Sequence, residues 1–211
     1  LYAECRASIE QALSHVVQLN APALESVLSE TAVTLPRQAF LQEVIVPLFR
    51  EIGALWHAGR LKIINEHMAS VIVRAILWDM LRTVELSASA PRIVIATPSG
   101  HWHECGALAS ALVAAEAGWQ PFYFGPNLPA EEIVYAVKKV EAAALALSLS
   151  HRLNQHKLVL ELTRIRRMLD NNLPFFIGGP GTDEKMFNEA KLDVAVVNDL
   201  IDFRKCIEEL S

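Results

Sequence analysis

Pro91-Arg92-Ile93-Val94-Ile95-Ala96-Thr97-Pro98-Ser99-Gly100-His101-Trp102-His103-Glu104-Cys105-Gly106 is the stretch on which the fold turns: a short apolar run ends in a loop and the loop gives way to a helix. The pattern recurs downstream. Apolar runs at 92–97, 121–124, 143–149, 175–177 and 194–197 are each followed by an amphipathic helix. Five such units predict an α/β region over 91–211 built on an open, five-stranded parallel sheet of Rossmann or flavodoxin type. Sheets of this kind hold ligands on the loops beyond the carboxyl ends of their strands, so those loops are where chemistry is to be sought.

Upstream of the small-residue connector Leu86-Ser87-Ala88-Ser89-Ala90-Pro91 the period changes. Apolar residues recur at three and four, as in Ile9, Leu13, Val16 and Val17, then Leu24, Val27 and Leu28. Residues 1–86 therefore read as a four-helix bundle. The first helix runs from Leu1 to about Gln18, and Asn20-Ala21-Pro22 caps and opens the second. A third spans about 36–58 with a kink expected at Pro47, Gly59 ends it, and a fourth covers about 63–84.

Composition excludes whole classes of function. Of 211 residues 52% are apolar and 20% charged, which rules out intrinsic disorder. No apolar run approaches the ~18 residues of a membrane span, and no charged-then-apolar leader opens the sequence, so a cytoplasmic protein with no membrane partner is expected. Nineteen Lys and Arg against 24 Asp and Glu leave a net charge of −5, with no basic footprint for nucleic acid. Cys5, Cys105 and Cys206 are too few and too scattered for a disulfide framework. The chain begins at Leu1, not Met, which suggests that an upstream segment has been removed.

Four groups of residues stand out. The loop 97–106 carries His101 and His103 around Trp102, read either as solvated histidines or as ligands. His101, His103, Glu104 and Cys105 all belong to the zinc repertoire, but no second ligand pair follows at a familiar spacing. The fourth strand ends in Gly178-Gly179-Pro180-Gly181-Thr182, where paired glycines let a backbone approach a bulky ligand and Thr182 or Asp183 can cap the next helix. The third ends in Ser148-Leu149-Ser150. In the bundle, Trp56-His57 at one helix end and Glu66-His67 at the start of the next would set an aromatic plate beside ionisable groups. Trp78 and Trp119 read as core, His15, His151 and His156 as surface or half-buried, and Cys105 as packing at a helix start.

These residues carry a resemblance. His103-Glu104-Cys105-Gly106 fits the H-x-x-G core of the D-x-H-x-x-G signature of cobalamin-binding domains, and Ser148 with Gly178-Gly179 resembles their later Ser and Gly-Gly loops. Trp56, nine residues, then Glu66-His67 resembles the signature of CarH/LitR-type light-dependent regulators that bind adenosylcobalamin. The stretches from Val46 to Gly53, through Glu66-His67-Met68-Ala69-Ser70, Thr97-Pro98-Ser99-Gly100 and Phe124-Gly125-Pro126 are similar to those proteins as well.

The resemblance implies cobalamin, in its adenosyl form, as cofactor. It places His103 as the lower axial ligand to cobalt, with Gly100, His101, Trp102 and Gly106 around it. The displaced tail would thread between the Ser148-Leu149-Ser150 and Gly178-Gly179 loops. Trp56, Glu66 and His67 would cover the adenosyl group, His57 would take the upper cobalt position after light, and the bundle would cap the upper face. One departure is that His101 stands where the signature has an acidic residue, and we expect it to reach His103 directly or through water; Ser150 likewise replaces an expected Leu. The implied function is a switch without turnover: a homotetramer in the dark that dissociates in light, acting on DNA through an upstream MerR-type domain outside this chain. The rival is a corrinoid carrier protein of a methyltransferase system.

Overall fold

In a computed structural model described over residues 2–151 and 154–210, helix α1 (Tyr2–Gln18) buries Cys5, Ile9, Ala12 and Val16, an inward stripe at steps of four, three and four. Leu1, from which that helix is expected to start, lies outside the described residues. Helix α2 (Ala21–Thr34) opens as expected, with the Asn20 side chain accepting the Ala23 N–H at 3.3 Å and Pro22 in the first turn. It ends at Leu35, which is extended because it precedes Pro36.

The expected third helix is one continuous helical run with a different interior. A short α3 (Arg37–Ala39) passes into a π-helical segment, Phe40–Ile45, and then into α4 (Val46–His57). The Val46 N–H reaches back five residues to Leu41 O. Pro47 has no N–H to offer the carbonyl four residues earlier and its ring would strike that carbonyl, so the turn before it widens. At the other end Gly59 takes φ +69°, and the Arg60 N–H returns to Leu55 O at 2.9 Å, a glycine-terminated helix end. Helix α5 (Ile63–Arg82) turns Ala69, Ile72, Val73, Ile76 and Leu77 inward. Trp78, expected in the core, is 38% exposed, because at 100° per residue it lies on the far side of α5 from that buried face.

The chain divides into two units between Arg82 and Thr83. In the second, β1 (Arg92–Ala96), β2 (Gln120–Tyr123), β3 (Ala144–Ser148), β4 (Phe175–Gly178) and β5 (Ala195–Val197) form one parallel sheet in the order β2-β1-β3-β4-β5. Each strand lies within a residue of its expected bounds. The intervening and final helices are α6 (Cys105–Glu116), α7 (Ala130–Lys139), α8 (Gln155–Met168), α9 (Glu184–Glu189) and α10 (Leu200–Glu208). Both sheet faces are covered, which is why the strands read as nearly unbroken apolar runs. Val94, Leu145, Leu147, Phe175 and Ile177 pack with Ile133 and Val137 of α7 and Leu158 and Leu162 of α8. Helices α6 and α10 pack together, and Trp119, 1% exposed as expected of core, donates its indole N–H to Ile207 O of α10 at 3.2 Å. This strand order reverses direction between β1 and β3, and the loops leaving those two strands form the crevice where ligands sit. Among the described residues no helix is long and apolar enough to cross a membrane.

Candidate functional site

The loop after β1 is strapped from below. Buried Thr97 donates its hydroxyl to the His101 carbonyl and accepts the Asn127 N–H at 2.8 Å. The His101 N–H closes a turn onto Pro98 O at 3.0 Å, and Gly100, at φ +86°, gives its N–H to the Asn127 side chain at 2.7 Å. This geometry sorts the loop's side chains. His101 turns inward and is 3% exposed, whereas Trp102 is 67% exposed and His103 stands in the open beside it. The neighbouring Glu104 carboxylate accepts the hydroxyl of Tyr123 from the end of β2.

His101 makes a contact the sequence did not suggest. Its Nδ1 accepts the Ser150 N–H at 3.0 Å, so the neutral ring carries its proton on Nε2. Burial, and then the neighbouring His151, lower its pKa to about 4. The expected link from His101 to His103 is thus not available through Nδ1, which Ser150 occupies. Instead the rings of His101 and His151 stack at 4.6 Å and 22°, and His151 meets the His103 ring edge to face at 6.5 Å and 88°. Ser150 Oγ lies 2.8 Å from His151 Nδ1. Burial, and then His103, hold the His151 pKa below the usual histidine value. His151, which sequence reading places at the surface or half-buried but close enough to the Ser148 loop to touch the cofactor's tail, belongs to this cluster.

The glycines after β4 do something other than make room for a ligand. Leu149 N–H bonds Gly178 O at 2.8 Å and Gly181 N–H bonds Leu149 O at 2.8 Å, which zips the loop after β3 to the loop after β4. A Cβ on Gly179, whose φ is +100°, would sit 2.5 Å from Leu149 O, and one on Gly181 would sit 2.5 Å from His151 O. On the α6 side a Cβ on Gly106 would come within 2.8 Å of Ser148 Oγ, and Ser148 pairs in register with Gly178. Asp183 caps α9 as anticipated, accepting the Met186 N–H.

The bundle places its own cluster at the junction of α4 and α5, which pack together. Trp56 is 46% exposed, and the His57 ring stands edge-on to it at 4.8 Å. His57 Nδ1 donates to Gly53 O at 2.7 Å, which leaves the Nε2 lone pair outward, the arrangement of a metal-ligating imidazole. Glu66 accepts the Ser70 hydroxyl at 2.6 Å, and its second oxygen lies 3.7 Å from His67 Nε2. Buried Asn65, which sequence reasoning passed over, fixes the start of α5. Its amide donates to Val16 O at 2.7 Å and its oxygen accepts the Lys62 N–H at 3.0 Å. Among the described residues no group of three or more His, Cys, Asp or Glu is arranged to hold a bare metal ion.

A doubly wound sheet with an exposed imidazole after β1 and small-residue loops after β3 and β4 defines a ligand-binding α/β protein. The family model described as the B12 binding domain matches residues 91–199, more than half the chain, and a second of the same description matches 8–77. The chain belongs to the B12-binding domain family, whose ligand is cobalamin. It is 29% identical over 170 residues to the HTH-type transcriptional repressor CarH of Myxococcus xanthus, covering 81% of this chain and 56% of that protein. Against the HTH-type transcriptional repressor CarA of the same organism it is 29% identical over 139 residues, 66% of this chain and 46% of the other. The chain thus spans about half the length of these relatives. The fold is that of the Methanosarcina barkeri monomethylamine corrinoid protein, at TM-score 0.76 and 15% identity over 98% of this chain and 99% of the other. A looser likeness, TM-score 0.51 at 15% identity over 97% and 79%, is to the methanol:cobalamin methyltransferase complex MtaBC of Methanosarcina barkeri.

The residues present fit the cofactor. His103 offers an exposed imidazole at the sheet's carboxyl edge, and Gly106, Ser148, Gly178 and Gly179 are small residues at the neighbouring loops.

Proposed function

We propose that this chain is the adenosylcobalamin-dependent light-sensing region of a transcriptional regulator, with His103 as lower axial ligand to cobalt. The observation that carries the reading is that one chain of the B12-binding family carries both an exposed His103 and, in its helical unit, a cluster of Trp56, His57, Glu66 and His67. A methyl carrier must open to its partner enzymes and has no use for that cluster. The sequence likeness to CarH and CarA supports the same choice.

Bound adenosylcobalamin supplies a cobalt–carbon bond that visible light cleaves. The chain's residues do the rest. His103 would present its imidazole to cobalt from a loop fixed by Thr97 and Asn127. Ser148, Ser150, Gly178 and Gly179, on the loops after β3 and β4, would hold the tail, with Gly106 against Ser148. Trp56 and Glu66 would cover the adenosyl group, Glu66 being held by Ser70, with His67 beside it. His57, whose Nδ1 donates to Gly53 O, would offer its Nε2 to cobalt after light. Gly100, His101 and Trp102 shape the rim of the lower side. Assembly as a homotetramer in the dark, and DNA binding by a module outside these residues, complete the proposal.

The test is to load the chain with adenosylcobalamin in darkness, then record its absorption spectrum and elution volume before and after green light. Both are expected to change together, with the larger species in the dark. A bound but light-indifferent assembly that accepts methyl groups from a donor and partner protein would establish the carrier instead.

A further inference from the structure

We infer that His151 is a positioning residue for His103, its ring serving as a fixed wall that sets the direction in which the His103 imidazole is presented. The inference deepens the proposed function, since it rests on His103 being a cobalt ligand. A ligating imidazole is held by what its ring and second nitrogen touch, and such partners change metal affinity by roughly 10- to 100-fold. The acidic side chain next to His103, Glu104, is engaged by Tyr123. His101, two residues away, has its Nδ1 committed to Ser150. The ring that faces His103 is that of His151, perpendicular to it at 6.5 Å, and edge-to-face contact is a favoured and directional arrangement of flat rings.

A wall is useful only if it is rigid, and His151 is held on three sides. Its ring stacks on buried His101 at 4.6 Å. Its Nδ1 lies 2.8 Å from Ser150 Oγ, while the backbone N–H of the same serine anchors His101. Its backbone is pressed by the loop after β4, where a Cβ on Gly181 would stand 2.5 Å from His151 O and 2.8 Å from His151 N. The loops after β1, β3 and β4 therefore converge on one imidazole, and that imidazole faces His103.

Hydroxocobalamin, titrated into the full chain and into its His151→Ala, His151→Phe and His103→Ala variants, tests this. His151→Ala is expected to bind roughly 10- to 100-fold more weakly and to shift the bound spectrum toward that of His103→Ala, with far-ultraviolet circular dichroism unchanged. His151→Phe keeps a flat ring and is expected to restore binding to within a few-fold of the parent. Parent-like affinity and spectrum in His151→Ala, or a His151→Phe as impaired as His151→Ala, would overturn the inference while leaving His103 as ligand. A parent chain whose bound spectrum already equals that of His103→Ala would overturn the ligand assignment itself, and this inference with it. If His151→Ala does not fold, His151→Gln, which also lacks a ring, is read by the same criteria.

Discussion

Trp56→Ala should separate recognition of the adenosyl group from recognition of the corrin. The indole is 46% exposed in the chain. A tryptophan buries on the order of 200 Å² when fully covered, so roughly 100 Å² remains for a ligand to cover, and at about 25 cal/mol per Å² this is about 2.5 kcal/mol, or about 60-fold in affinity. The assay is a pair of titrations in darkness, with adenosylcobalamin and with hydroxocobalamin, on parent and variant. Adenosylcobalamin should lose about 60-fold, while hydroxocobalamin, which has no adenosyl group to cover, should change less than about threefold. The same figure bears on the switch. Driving a two-state equilibrium from 1:99 to 99:1 takes about 5.5 kcal/mol of differential affinity, so on the proposed reading Trp56 would supply less than half and Glu66 with its neighbours the remainder. The variant should accordingly bind cobalamin yet assemble incompletely in the dark. Equal weakening of both cobalamins would show that Trp56 supports the fold of α4 and not the ligand, and the reasoning would fail.

Three further outcomes are expected. Asn65→Ala strips Val16 O and the Lys62 N–H of their buried partner and should lower stability by about 1–3 kcal/mol in urea unfolding; a change below about 0.5 kcal/mol would deny it the role of fixing α5. Gly179→Ala, with φ +100° and backbone at 2.5 Å, should destabilise by more than about 1 kcal/mol, whereas Gly53→Ala, inside α4 with nothing within 4 Å of a new Cβ, should stabilise by about 0.5–1 kcal/mol. Finally, the unliganded chain should lose stability in weak acid. His101 has a pKa of about 4 when folded against 6.5 as a free group, so between those values the unfolded chain takes up a proton that the folded one refuses. Stability is full above pH 6.5 and declines as pH falls toward 4, with His151 contributing in the same direction. His101→Asn should flatten that decline, and an unaltered pH profile in the variant would remove His101 from the account.

What could be read without coordinates, and what could not, follows from the range of the interactions. The strands were legible because a parallel sheet covered on both faces demands apolar side chains at nearly every position, as at Ile93-Val94-Ile95-Ala96. Asn20, Gly59 and Asp183 were legible because a cap acts on residues one turn away. Pro47 announced a disturbance but not its form, since whether a helix kinks or widens depends on the packing of Phe40, Leu41, Val44 and Ile45, all buried. Trp78 misled because a large aromatic on an amphipathic helix says nothing of which side it occupies until the whole stripe is counted. Two contacts that organise the separate clusters, Asn65 to Val16 in the bundle and His101 to Ser150 in the sheet unit, each span 49 residues. Strand order and helix pairing set such contacts, and no local pattern encodes them.

The pairing of His101 with Ser150 also decides what kind of support the lower side can offer. A carboxylate behind a ligating imidazole both orients it and adds negative charge that strengthens its donation to a metal. Neither element of the His101–His151 stack can do the second. His101 accepts a backbone N–H through Nδ1, which it can do only when neutral at that atom, and burial keeps it so at neutral pH. Burial, and then His103 at its edge, likewise disfavour His151 as a cation. The wall is therefore neutral, and it acts on direction without changing charge. On the proposed reading, the affinity of His103 for cobalt comes from preorganisation of the three zipped loops, and Gly179 and Gly181, far from contributing space, contribute by letting those loops close on one another.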